Sequence, residues 1–74
     1  MRTARVIVGD VIVALPVAYL VQQTSWMSHF ENIPCSMVNM RALIEANRTA
    51  GITWYLVGDK LSLSVPTEII KWEA

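Results

Sequence analysis

Seventy-four residues are room for one small domain, and with 54% hydrophobic and 16% charged residues that domain is folded rather than disordered. Six Lys and Arg residues balance six Asp and Glu residues, which leaves no basic surplus for nucleic-acid phosphates. One cysteine, Cys35, excludes an intramolecular disulfide and a multi-cysteine zinc site, and one histidine, His29, excludes a His-pair metal site.

In chain order, the first element is a hairpin over residues 3–15. Its turn is Val8-Gly9-Asp10, because a Gly-X pair between apolar runs suits a type II′ turn. Both faces of this hairpin are apolar, with Ile7 and Ile12 on one and Val6, Val8, Val11 and Val13 on the other. That marks a covered or interface element. The same apolar run, Val6 to Val21 behind Arg2 and Arg5, supports a second alternative, a small membrane-anchored protein. Asp10 inside the run, the helix breakers Gly9 and Pro16, and a length short of the roughly 20 residues needed to span a bilayer all weigh against it.

Residues 17–30 are predicted as a helix, and Glu31 to Cys35, with Pro34, as a break. Residues 37–50 are predicted as a second helix, with Ser36 or Asn39 as N-cap. In it Met37, Met40, Ile44 and Asn47 share a stripe with Leu43 and Ala46 beside it, while Arg41, Glu45 and Arg48 fall on the solvent side. Gly51 suits the left-handed position that ends a helix.

Residues 52–65 form the strongest local pattern. With Gly58-Asp59 as the loop, Leu56 opposes Leu61, Trp54 opposes Leu63 and Ile52 opposes Val65, all apolar on one face. Tyr55/Ser62 and Thr53/Ser64 lie on the other, and a slip of one residue destroys the match. Pro66 then opens a short helix over residues 66–73. The sum is a single α+β domain: a small antiparallel sheet from two β-hairpins, two central helices and a short C-terminal helix (ββααββα). Val8-Gly9-Asp10 and Val57-Gly58-Asp59 are 49 positions apart, and Pro16 follows the first as Pro66 follows the second with one residue deleted, which suggests an internal repeat.

The stretch Ala42-Leu43-Ile44-Glu45-Ala46-Asn47-Arg48-Thr49-Ala50-Gly51-Ile52, followed by Trp54-Tyr55-Leu56-Val57-Gly58-Asp59-Lys60-Leu61-Ser62-Leu63-Ser64-Val65-Pro66, resembles the N-terminal docking domain of TubC-type nonribosomal peptide synthetases. The resemblance covers residues 37–74. It implies a helix–hairpin–helix module without catalysis, which receives a partner segment by strand addition. Carried onto this chain, it implies contacts along Lys60 to Val65, taken as the outer strand, and on the face bearing Tyr55.

No nucleophile, base and acid converge in the sequence. Cys35 has only His29 as a partner, across Pro34, and reads as a structural thiol. The chain is therefore expected to be no enzyme and to need no cofactor. The expected function is protein–protein interaction through a sheet edge or an apolar patch. The candidate partner-binding residues are Tyr55, Lys60, Ser62, Ser64, Trp26 and Trp72, the two tryptophans because aromatic side chains outside a small core are enriched at contacts. Homodimerisation and a cytoplasmic location are expected, without nucleic acid or membrane. A first alternative is a phage or mobile-element inhibitor that docks on a host complex and blocks it, such as an anti-CRISPR or other anti-defence protein.

Overall fold

In the computed structural model, which describes residues 2–49 and 51–73, the chain is mostly antiparallel β with one helix. The strands are β1 (Thr3–Val8), β2 (Val11–Pro16), β3 (Leu20–Gln23), β4 (Met27–Pro34), β5 (Thr53–Val57), β6 (Lys60–Pro66) and β7 (Ile70–Glu73), and the helix α1 is Met40–Arg48. They form two sheets, β2-β1-β7 and β3-β4-β6-β5. The α+β class holds, while the single sheet and the pair of central helices do not.

Both expected hairpins are present. β1 and β2 pair Val6 with Val13 and Val8 with Val11. β5 and β6 pair Trp54 with Leu63, Tyr55 with Ser62 and Leu56 with Leu61, the register read from the sequence. Gly9 and Gly58 sit at φ 61° and 63°, and neither Asp10 nor Asp59 has a positive φ. One positive φ, at the first turn residue only, is the II′ pattern and not the I′ pattern.

The helix expected over 17–30 is instead a 3-10 turn (Val17–Tyr19), β3 and β4. Two local features decide this. Thr24 closes a tight loop: its Oγ1 accepts from the N–H groups of Trp26 (3.2 Å) and Met27 (3.0 Å), and its own N–H donates to the Met27 carbonyl (2.8 Å). Such side-chain bonding competes with a helix. Beyond it, burial alternates with period two, Ser28 and Phe30 inward and His29 outward between them. A bulge between Phe30 and Ile33, with Asn32 at φ 62°, then returns Ile33 to the core.

The helix expected over 37–50 is shortened to α1. Asn39, not Ser36, is its N-cap, and its Oδ1 accepts from the Ala42 N–H at 2.8 Å. Cys35–Met37 is a separate 3-10 turn, and Ala50 lies outside the described residues. The terminal helix expected over 66–73 is also corrected, to a 3-10 turn (Thr67–Ile69) and β7.

Each of the three prolines does the same job. β2, β4 and β6 all end on a proline at φ near −60° and ψ between 130° and 137°, followed by a three-residue 3-10 turn. The ring fixes φ, and the missing N–H ends the ladder, so the chain turns a corner. The first residue after each proline donates its N–H across the corner: Val17 to Arg2 O (3.0 Å), Cys35 to Asp59 O (3.1 Å) and Thr67 to Trp26 O (3.0 Å).

These corners give the fold a pseudo-two-fold character. β2 turns at Pro16 and sends β3 to pair with β4, while β6 turns at Pro66 and sends β7 to pair with β1. The registers correspond: Thr3↔Pro16, Ala4↔Leu15 and Val6↔Val13 in one sheet match Met27↔Pro66, Ser28↔Val65 and Phe30↔Leu63 in the other. The structural counterpart of β1 is thus β4, not β5. Between the sheets lies one core, whose largest fully buried side chains are Phe30, Leu15, Ile33, Leu61 and Leu63. Each contributes about 1.5–3 kcal/mol by burial. α1 packs against β2, β5 and β1, with Val38, Ala42 and Ala46 joining that core.

Candidate functional site

Two surfaces of the second sheet concentrate the unusual side chains. The first is polar and lies on the outer face. Register places Gln22, His29, Ser64 and Thr53 in one row across β3, β4, β6 and β5. His29 Nδ1 is 2.7 Å from Ser64 Oγ, and His29 Nε2 is 3.0 Å from Glu31 Oε1. With the proton on Nε2, the imidazole donates to Glu31 and accepts the Ser64 hydroxyl proton.

Serine, histidine and glutamate in this order have the connectivity of a hydrolytic relay. Catalysis also needs donors aimed at a developing oxyanion. Here β4 and β6 are internal strands, and His29 and Ser64 each have a paired residue on both sides. Among the described residues no cavity adjoins the three side chains. The Ser64–His29–Glu31 bonds tie β4 to β6 across the outer face, with His29 half-buried.

The second surface is apolar and lies over α1 and β5. α1 is turned with its small residues inward: Ala42 and Ala46, one turn apart, are buried. The larger Met40 and Ile44 point to solvent, Met40 at 73% exposure. Arg41 is held to the β1–β2 turn by Asp10 at 2.9 Å. The stripe read from the sequence over Met37, Met40, Ile44 and Asn47 holds only in part: Met37 lies in the 3-10 turn before α1, and Met40, Ile44 and Asn47 face outward. The reason is room: a helix lying close against β1, β2 and β5 fits alanine beneath it and not methionine or isoleucine.

β5 borders α1, and its exposed side chains divide between two faces: Leu56 lies on the core side with Leu61, while Tyr55 and Val57 lie on the outer side with Ser62 and Lys60. It ends the second sheet and contains no charged residue. Leu56 and Val57 are 62% and 67% exposed, and Tyr55 is also exposed. The backbone bond from Cys35 to Asp59 ties the segment leading into α1 to the β5–β6 turn. Edge strands without charge, proline or bulge are the ones open to further association.

The six residues singled out from the sequence are divided among these places. Tyr55 lies on the exposed β5 surface. Lys60 is exposed at the start of β6, Ser64 is tied to His29, and Ser62 is buried. The assumption that Lys60–Val65 is an outer strand is corrected: β6 is internal because β4, expected as helix, pairs with it. Trp26 is 81% exposed in the β3–β4 loop. Trp72 is half-buried, paired with Ala4, packed against the core and 6.0 Å from the Arg2 guanidinium.

The surface residues that sequence reasoning passed over are Met40, Ile44, Leu56 and Val57. The available signal was the second stripe of α1, Ala42 and Ala46 four apart, which competes with Met40 and Ile44 for the core.

Residues 6–21, the run that suggested a membrane anchor, are strands and a 3-10 turn. Among the described residues no helix is long and apolar enough to cross a membrane. The segment that resembles a docking domain has a helix and a hairpin, but after Pro66 it continues as a 3-10 turn and strand. Comparison with protein-family models, curated proteins and solved structures gives no match.

Proposed function

We propose that the protein is a non-enzymatic protein-interaction module whose docking surface is the apolar face formed by α1 and β5. One observation carries this reading: α1 buries its alanines and turns Met40 and Ile44 to solvent, beside an uncharged terminal strand whose Leu56 and Val57 are also exposed. A solvated helix ordinarily does the reverse. Exposed large apolar side chains grouped on one helix of a small domain mark contact sites. Methionine and tyrosine are among the side chains enriched there.

Site-specific photocrosslinking in cells tests the reading. A photoreactive residue at position 40 or 44 is expected to give discrete crosslinked species, and one at Lys71, exposed on β7, is expected to give none. Equal yields from all three positions, or none from any, would contradict it.

A further inference from the structure

We infer that Ser64 is an acyl-acceptor site, a base-activated hydroxyl on the outer face of the second sheet that takes an acyl group from thioesters and activated esters. The inference is independent of the docking reading above. A serine hydroxyl is a weak nucleophile until a base takes its proton. Here the base is in place: His29 Nδ1 lies 2.7 Å from Ser64 Oγ, and Glu31 Oε1 lies 3.0 Å from His29 Nε2. An ionised carboxylate only accepts, so the imidazole proton sits on Nε2 and Nδ1 turns its lone pair to Ser64. Glu31 is therefore a positioning residue, which fixes the tautomer and steadies the imidazolium once it forms. Ser64 is partly exposed, so its oxygen is held by His29 and still meets solvent. The remaining serines are Ser25, Ser28, Ser36 and Ser62. Ser28 is buried against Thr67 and Ser62 is buried. Ser25 and Ser36 are exposed, and among the described residues only Ser64 is bonded to a base.

In the transfer, Ser64 Oγ attacks the acyl carbon and a C–O bond forms. The hydroxyl proton passes to His29 Nδ1. The bond from the acyl carbon to the leaving group breaks, and the leaving thiolate or aryl oxide keeps the electron pair. His29 then gives its proton to that group or to water, and the product is an ester on Ser64. The surroundings set the donor class. Ser64 and His29 sit in a paired row, and no cavity with aimed donors adjoins them among the described residues. Donors with good leaving groups depend least on oxyanion stabilisation, so thioesters and aryl esters fit, and amides and alkyl esters do not. The product is itself an alkyl ester, so it persists. Ser64 is in this way an acceptor modified once, and the chain remains without turnover.

The test is timed treatment of the full chain with p-nitrophenyl acetate, with the acetylated serines mapped by tandem mass spectrometry. Ser64 should be acetylated at least about tenfold faster than Ser25 or Ser36, and Ser64→Ala should remove that adduct. His29→Asn should slow it about tenfold or more, the scale of a general base. Glu31→Gln keeps an acceptor for the Nε2 proton and should retain more of the rate than Glu31→Ala, a difference that loss of a structural tie alone does not give when urea unfolding of the two variants coincides. The wild-type chain unfolded in urea should lose its preference for Ser64, which keeps the test open if a variant fails to fold. No adduct on Ser64, equal rates at Ser25, Ser36 and Ser64, or an unchanged rate in a folded His29→Asn chain would each overturn the inference. Release of p-nitrophenolate that continues past one equivalent and is lost in Ser64→Ala would overturn the acceptor role and the non-enzymatic reading together, leaving the α1 crosslinks to decide the docking surface alone.

Discussion

The two hairpins carry the same Val-Gly-Asp turn and show the core opposite faces. Counted from the glycine, Ile7 and Ile12 of the first correspond to Leu56 and Leu61 of the second. Ile12 is 52% exposed, whereas Leu61 is buried at 2%. Counted from the proline, the correspondence is restored: Leu15, Val13 and Val11 match Val65, Leu63 and Leu61, all buried. β6 has one residue more than β2 between turn and corner. Because side chains alternate with period two, one residue inverts the face. The lesson is that the proline corner, not the glycine turn, sets which side of a strand meets the core. Leu56 shares the core side with Leu61 and is exposed because β5 is the last strand of its sheet, not because of the inversion.

The sharpest way to break this comparison is a matched pair of charge insertions. Leu61→Asp puts an unpaired carboxylate in the core, at a cost of about 4 kcal/mol or more. That is a large share of the about 4–11 kcal/mol expected for a chain of this length. It should abolish cooperative urea unfolding. Ile12→Asp, its counterpart by the turn, should shift the unfolding free energy by less than about 1 kcal/mol. Similar costs for both would place the two hairpins on the same face.

A smaller effect distinguishes the two corners. The pseudo-two-fold puts Ala4 and Val17 in the first sheet where Ser28 and Thr67 stand in the second. There Thr67 Oγ1 donates to Thr24 O at 2.9 Å, so the Ser28 hydroxyl donates to Thr67 Oγ1 at 2.9 Å. Thr67→Val strands the fully buried Ser28 hydroxyl and should cost about 1–3 kcal/mol. Adding Ser28→Ala makes the second corner chemically like the first. The double variant should recover stability relative to Thr67→Val alone, read by the same urea titrations. Equal or greater loss in the double variant would separate the corners.

The hairpins were legible because turn chemistry and alternation agree over their whole length, as at Trp54/Leu63 and Leu56/Leu61. The N-cap was legible to within two candidates. Residues 17–30 were not, because their apolar residues are dense enough to fit either period. What decides them is a side-chain bond at Thr24 and a buried serine at position 28, two polar residues with no mark in a hydrophobic pattern. The missing β4 carried a second error with it, since β6 reads as an outer strand only when nothing pairs beyond it. Of the candidate site, Tyr55 was legible from the register. Met40 and Ile44 were not, because the sequence offers α1 two apolar stripes, and only the close approach of the sheets selects the alanines.

The orientation of α1 is the claim on which the docking face depends. Methyl resonances recorded with a soluble paramagnetic agent, at a concentration low enough to keep the chain monomeric, report it directly. The Met40 and Ile44 methyls should broaden strongly, with Leu56 and Val57, while those of Ala42, Ala46, Leu61 and Leu63 stay sharp. Broadening of Ala42 and Ala46 with protection of Met40 and Ile44 would mean that the helix sits the other way round and the apolar face does not exist.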